Sequence, residues 1–136
     1  MEEGIKVGVK EGFKFCLDLA KIIVPVTFTF VILKETVLFK QITYFLSPYM
    51  SFVGLPGSAA FTVLLGFFSL YAAVGSIPPL GLTVKETTIV AMILLTAHTL
   101  IIEGGVLKQL KMNYVKLTAF RILMAFFIGA IINFLM

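Results

Sequence analysis

The chain has 136 residues, 60% of them hydrophobic and 13% charged, with a net charge of +4 and a mean hydropathy of +1.08. Soluble domains carry about 25% charged residues, so this composition excludes a soluble globular fold and leaves room for about four membrane spans without a separate soluble domain. The positive charge is spread along the flanks of apolar segments rather than gathered in one block. It reads as membrane-flanking lysine and excludes a nucleic-acid footprint.

Residues 3–20 have the period of an amphipathic helix. Ile5, Val9, Gly12, Phe13, Cys16 and Ala20 form one stripe, and Lys6, Lys10, Lys14 and Asp18 form another. Such a helix either lies in the interface or is the solvated start of a span. The first span is expected over Leu17–Leu33, with Lys21 snorkelling and Pro25 removing one backbone donor. The N-terminus is mixed in charge, and no small-x-small site follows the apolar stretch, so an uncleaved anchor is expected. Cys16 is the lone cysteine, which permits neither an intrachain disulfide nor a thiolate metal site; it is expected to pack inertly.

From Gln41 to Val84 there are 44 consecutive residues without charge. As one straight helix they would extend about 66 Å, against a hydrocarbon core of about 30 Å. The run must fold back or cross twice, and it is punctuated by Ser47-Pro48, Gly54-Leu55-Pro56-Gly57, Gly66, Ser69, Gly75 and Pro78-Pro79. Residues 36–53 fit an interfacial helix, a re-entrant half-helix or a crossing. Residues 57–79 are expected to be a second span, either broken at Gly66-Phe67-Phe68-Ser69 or continuous, with Gly66 and Ser69 serving close packing. After a turn at Pro78–Gly81, Thr83 and Glu86 have capping-box spacing and open a third span that ends near Glu103-Gly104-Gly105. A basic connector with Lys108, Lys111 and Lys116 leads to a last span over Leu117–Leu135.

Orientation depends on the second of these segments. If residues 36–53 do not cross, Lys6, Lys10, Lys14, Lys21 and Lys85 share one side, and Lys34, Lys40, Lys108, Lys111, Lys116 and Arg121 the other, which is no bias. That arrangement favours dual topology and an antiparallel homodimer. If they cross, the split is eight against three, with the N-terminus inside.

No catalytic motif is present, and neither a metal centre nor a cofactor is expected, so the chain is not read as an enzyme. Candidate ligand-handling groups are Thr96, Thr99 and Glu103, which fall at i, i+3 and i+7 and share a face of the third span, with His98 about 100° away from Thr99. The breaks supply the others: Pro56, Gly57 and Ser58 at the start of one half-helix, and Gly66, Ser69 and Tyr71 at its unwound end.

Gly54-Leu55-Pro56-Gly57-Ser58-Ala59-Ala60, Leu65-Gly66-Phe67-Phe68-Ser69 and Ala97-His98-Thr99-Leu100 with Glu103 together resemble the Gate, or nucleoside-recognition, family. That family includes small spore-maturation membrane proteins, and related units occur in concentrative nucleoside transporters and ferrous-iron permeases. The resemblance implies that residues 1–136 form a single Gate-like transmembrane domain. It further implies an all-α membrane fold that is half of an inverted-repeat transporter, with an interfacial or re-entrant helix and a broken helix. The expected function is a half-transporter that pairs with itself or with a sister protein in the cell membrane and moves a small polar solute by alternating access. A non-transporting assembly partner of the spore-maturation type and a divalent-cation permease half are the alternatives. The turn at Gly54–Ser58 lacks the acidic and amide-rich tip of the nucleoside carriers, so the resemblance does not carry a nucleoside substrate.

Overall fold

The computed structural model describes the backbone of residues 2–136 and the side chains of residues 4–136. Seven α-helices and one 3₁₀ turn account for the described residues, with no strand: an all-α membrane protein. Three helical stretches are long and apolar enough to cross a bilayer, Gly4–Lys34, Val84–Gln109 and Tyr114–Leu135, rather than the four expected.

α1 (Glu2–Lys34) merges the amphipathic segment and the first span into one continuous helix. At about 50 Å it exceeds the hydrocarbon core, so its charged first turns extend past one face of the membrane. Residues 4–18 are exposed throughout. Cys16 is therefore not packed against protein, contrary to the expectation from its stripe. Asp18 and Lys21 form an ion pair at 2.8 Å, which lowers the cost of carrying both near the apolar zone. The C-terminal half of α1 packs against the rest of the chain: Thr27 Oγ1 donates to the Gly75 carbonyl, and Lys34 Nζ donates to the Pro79 carbonyl at 3.2 Å.

α2 (Val37–Ser51) starts at Thr36, whose hydroxyl accepts from the Phe39 amide. Phe39 stacks on Phe61 with centroids 4.3 Å apart and meets Phe30 edge-on at 5.5 Å. Farther along, α2 backbone atoms at Thr43 and Ser47 lie against Gly57, and the turn at Gly54 lies against Asn133 near the end of α7. Both ends of α2 are thus on the membrane side where α1 ends. The helix runs laterally and does not cross, which decides among the three possibilities for residues 36–53. Exposed Tyr44, Phe45 and Tyr49 line its outer face, an interfacial composition.

α3 (Ala59–Phe68) and α4 (Leu70–Ser76) correct the expected second span. Of the two alternatives the broken one is found, with the break at Ser69, but the chain folds back there. Thr62 and Ser76, 14 residues apart, share a buried hydroxyl–hydroxyl hydrogen bond of 2.8 Å. In a continuous helix those residues would be separated by about 21 Å. The pair is a re-entrant hairpin. Its tip is about 15 Å from its mouth, half the thickness of the hydrocarbon core. The 3₁₀ turn Pro78–Leu80 follows, closed by Gly81 at φ +63°.

α5 (Val84–Thr96) opens with the expected capping box: the Glu86 amide donates to Thr83 Oγ1, and the Thr83 amide donates to Glu86 Oε2 at 2.7 Å. The third span is not continuous. It stops at Thr96 and resumes as α6 (Leu100–Gln109). α7 (Tyr114–Leu135) returns antiparallel to both: Lys85 Nζ reaches the Asn133 carbonyl, Gly129 receives Ile93, and Gly104 faces Tyr114. Ile89, Val90 and Ile93 of α5 form the centre of the core with Val53, Val63, Ala73 and Ala125.

α1, α5–α6 and α7 are the helices long and apolar enough to cross, and their contacts place α2 and the open end of the hairpin at the level where α1 ends. Lys6, Lys10, Lys14, Lys21, Lys108, Lys111, Lys116 and Arg121 then belong to one side, and Lys34, Lys40 and Lys85 to the other. The count is eight against three although α2 does not cross, because the hairpin does not cross either. By the positive-inside rule, such a split is the pattern of a chain whose N-terminus faces inward.

Candidate functional site

The two breaks meet. The Thr99 amide, at the start of α6, donates to the Gly66 carbonyl in the last turn of α3 at 2.9 Å. Each break leaves backbone groups without helical partners, and this bond satisfies one from each. Beside it lies a cavity of about 390 Å³ lined by Phe68, Ser69, Leu70, Tyr71, His98, Thr99 and Ile102.

Local sequence builds each half of this junction. Ser69 is extended (φ −153°, ψ 121°), and its hydroxyl accepts from the Ala72 amide at 3.4 Å, so it both stops α3 and caps α4. Gly66 is buried in α3; a Cβ there would collide with Leu94 of α5, so the glycine sets how closely hairpin and broken helix approach. In the other break, Ala97 leaves the helical region and Thr99 adopts φ +51°. That is a strained conformation for a β-branched residue, costing about 1–3 kcal/mol. Ala97 and Leu100 are buried on either side and anchor the distortion.

His98 Nδ1 is 3.1 Å from the Leu94 carbonyl, an atom that can only accept, so Nδ1 carries the proton. This leaves Nε2 as the ring atom for a ligand, an acceptor in the neutral imidazole. With the Ser69 and Tyr71 hydroxyls and the Thr99 side chain, the wall offers both donors and acceptors within an apolar frame of Phe68, Leu70 and Ile102.

The remaining candidates sit elsewhere. The Thr96 hydroxyl is spent on the Met92 carbonyl at 2.9 Å. The break separates Thr96 from Thr99, so the three residues do not form one continuous helical face; Glu103, one turn beyond Thr99 in α6, pairs with Arg121 of α7. Arg121 Nε also donates to the Thr96 carbonyl at 3.2 Å. The guanidinium therefore caps the negative end of α5, while Glu103 occupies the first turn of α6, each charge at the helix end that favours it. Arg121 was missed as a participant because its role depends on a break that no glycine or proline announces. Pro56, Gly57 and Ser58 lie at the hairpin mouth, the length of α3 away from the cavity. Gly57 is required there for packing, since a Cβ would strike the Thr43 carbonyl, and Ser58 makes no side-chain cap. Of the predicted residues, Ser69, Tyr71, His98 and Thr99 converge on the cavity, and Gly66 supports it from below.

The chain is 34% identical over 134 residues to an uncharacterized membrane protein of Bacillus subtilis, YvoD, a match that takes in 98% of this chain and 43% of that protein. It is a multi-pass membrane protein. The chain spans about two fifths of the length of that curated relative. No family model matches the sequence, and no solved structure matches it.

Proposed function

We propose that the chain is one half of a transporter of the Gate type, moving a small polar solute by alternating access at the junction of the hairpin tip and the α5–α6 break. The observation that carries this reading is the bond from the Thr99 amide to the Gly66 carbonyl, which joins two discontinuities inside the membrane. Irregular backbone at that depth is tolerated only where it is buried or lines a cavity, and transporters build their sites from such discontinuous helices. His98 Nε2 and the Ser69 and Tyr71 hydroxyls are the groups placed to bind the solute.

The cavity is a half-site. Phe68, Tyr71 and Ile102 on its wall are all more than 40% exposed, which leaves an open face that a second unit would close. Three crossings put the two ends of the unit on opposite sides, so a second unit following in the same chain would be inverted. The eight-to-three charge bias gives separate copies one common orientation, which favours a sister unit over an antiparallel homodimer. The relative's unmatched 57% is long enough to hold such a unit. The inner membrane is the expected location.

Reconstituted with its partner unit, the protein should accumulate a small polar solute in vesicles. Ser69→Ala and His98→Ala each remove one hydrogen-bonding group and should weaken uptake about five- to tenfold, the effect of about 1–1.5 kcal/mol. Unchanged uptake in both variants would remove the site assignment. Absence of flux for every solute screened would favour an assembly partner that does not transport.

A further inference from the structure

We propose that the groove between α6 and α7 is a binding site for an anionic phospholipid of the lysine-rich leaflet, with one acyl chain in the groove and the headgroup phosphate on Lys108. The groove has a volume of about 520 Å³ and opens sideways toward lipid. Small residues, Gly104, Gly105 and Ala119, leave room for the groove, and a Cβ added at Gly105 would meet nothing within 4 Å. Ile122 lies at its deep end and Tyr114 with Lys108 at its mouth. From Ile122 to Tyr114 is eight residues of α7, about 12 Å. That is close to the depth of one leaflet, half of about 30 Å.

The mouth selects the occupant. Lys108 lines it, Lys111 and Lys116 follow within the connector and the first turn of α7, and all three are exposed. Among the described residues no carboxylate lies within 4.0 Å of any of them. Tyr114 adds an aromatic ring at headgroup level. The apolar groove between α1 and the hairpin is lined by Pro25, Val26, Phe30, Leu65 and neighbours without one charged residue, and so has no means of holding a headgroup; in the groove on the opposite face of α6 and α7 the Arg121 guanidinium is already paired with Glu103. A second copy of this chain is a poor occupant. Copies share one orientation, so a neighbour would bring its own Lys108, Lys111 and Lys116 to the same level. A phosphate neutralises those charges, and each lysine near it contributes about 1 kcal/mol.

The test is native mass spectrometry of the protein in mild detergent, titrated with phosphatidylglycerol and with phosphatidylethanolamine of the same acyl chains. Phosphatidylglycerol should bind at least about fivefold more tightly, because no ammonium offsets its phosphate, and Lys108→Gln should cost it about fivefold and narrow its advantage over phosphatidylethanolamine. Gly105→Leu, which fills the groove, should weaken both lipids; an unchanged helical spectrum and elution volume verify its fold. Equal binding of the two lipids by the native protein, or undiminished binding by Gly105→Leu, would overturn the proposal. So would a Gly105→Leu variant that keeps its lipid but loses self-association, since the groove would then be a protein interface.

Discussion

Arg121 holds together the most polar point within the crossing helices. It pairs with Glu103 and caps the Thr96 carbonyl, so its removal strands a carboxylate and a helix end in a low-dielectric zone. Arg121→Leu should lower stability by about 1–3 kcal/mol, and the Arg121→Leu, Glu103→Leu double variant should recover part of that loss, because no unpaired charge remains. Thermal unfolding in detergent checks both, and a double variant as unstable as the two losses combined would show that the pair is not coupled. Thr99 carries a different kind of strain. At φ +51° a glycine is unstrained, so Thr99→Gly should stabilise the fold by about 1 kcal/mol while reducing uptake, since it also removes a side chain from the cavity wall. A gain in stability with full uptake would leave Thr99 a purely structural residue.

The helices show which signals are local and which are not. The Thr83–Glu86 capping box and the break at Ser69 were legible because each depends on residues within one turn of the chain. The direction taken after Ser69 was not. A serine ends α3 whether the chain continues or returns, and the return is decided by the Thr62–Ser76 bond and by packing of α4 on α1. The break at Ala97–Thr99 was also hidden, since Thr96-Ala97-His98-Thr99 contains neither Gly nor Pro; contact with the hairpin stabilises it. The site was half legible for that reason. Ser69 and Tyr71 follow from a break that the sequence signals, His98 and Thr99 stand out only as polar residues in an apolar segment, and Pro56–Ser58 lie away from the cavity because the start of a half-helix and a packing turn have the same sequence signature. Gly57 tests the placement of α2. Gly57→Leu should displace α2 from the hairpin mouth and cost more than about 1–3 kcal/mol, read as a lower unfolding temperature, because the obstructing atom is the Thr43 backbone carbonyl. A tolerated leucine would mean that α2 does not lie there.

For the whole molecule, three crossings give the eight-to-three charge split, and the inward N-terminus and inverted partner of the proposed transporter both rest on them. Paired reporters at the C-terminus should give signal from the outer side only. The most direct test is the sidedness of the hairpin. In a Cys16→Ser background, single cysteines at Phe52 and Leu82, which flank the hairpin, and at Lys111 can be labelled in sealed vesicles by a membrane-impermeant maleimide. Phe52→Cys and Leu82→Cys should react from the same side, and Lys111→Cys from the opposite one. Labelling of Phe52→Cys and Leu82→Cys from opposite sides would mean that residues 59–80 cross the membrane, which would contradict the re-entrant hairpin and the junction built on its tip.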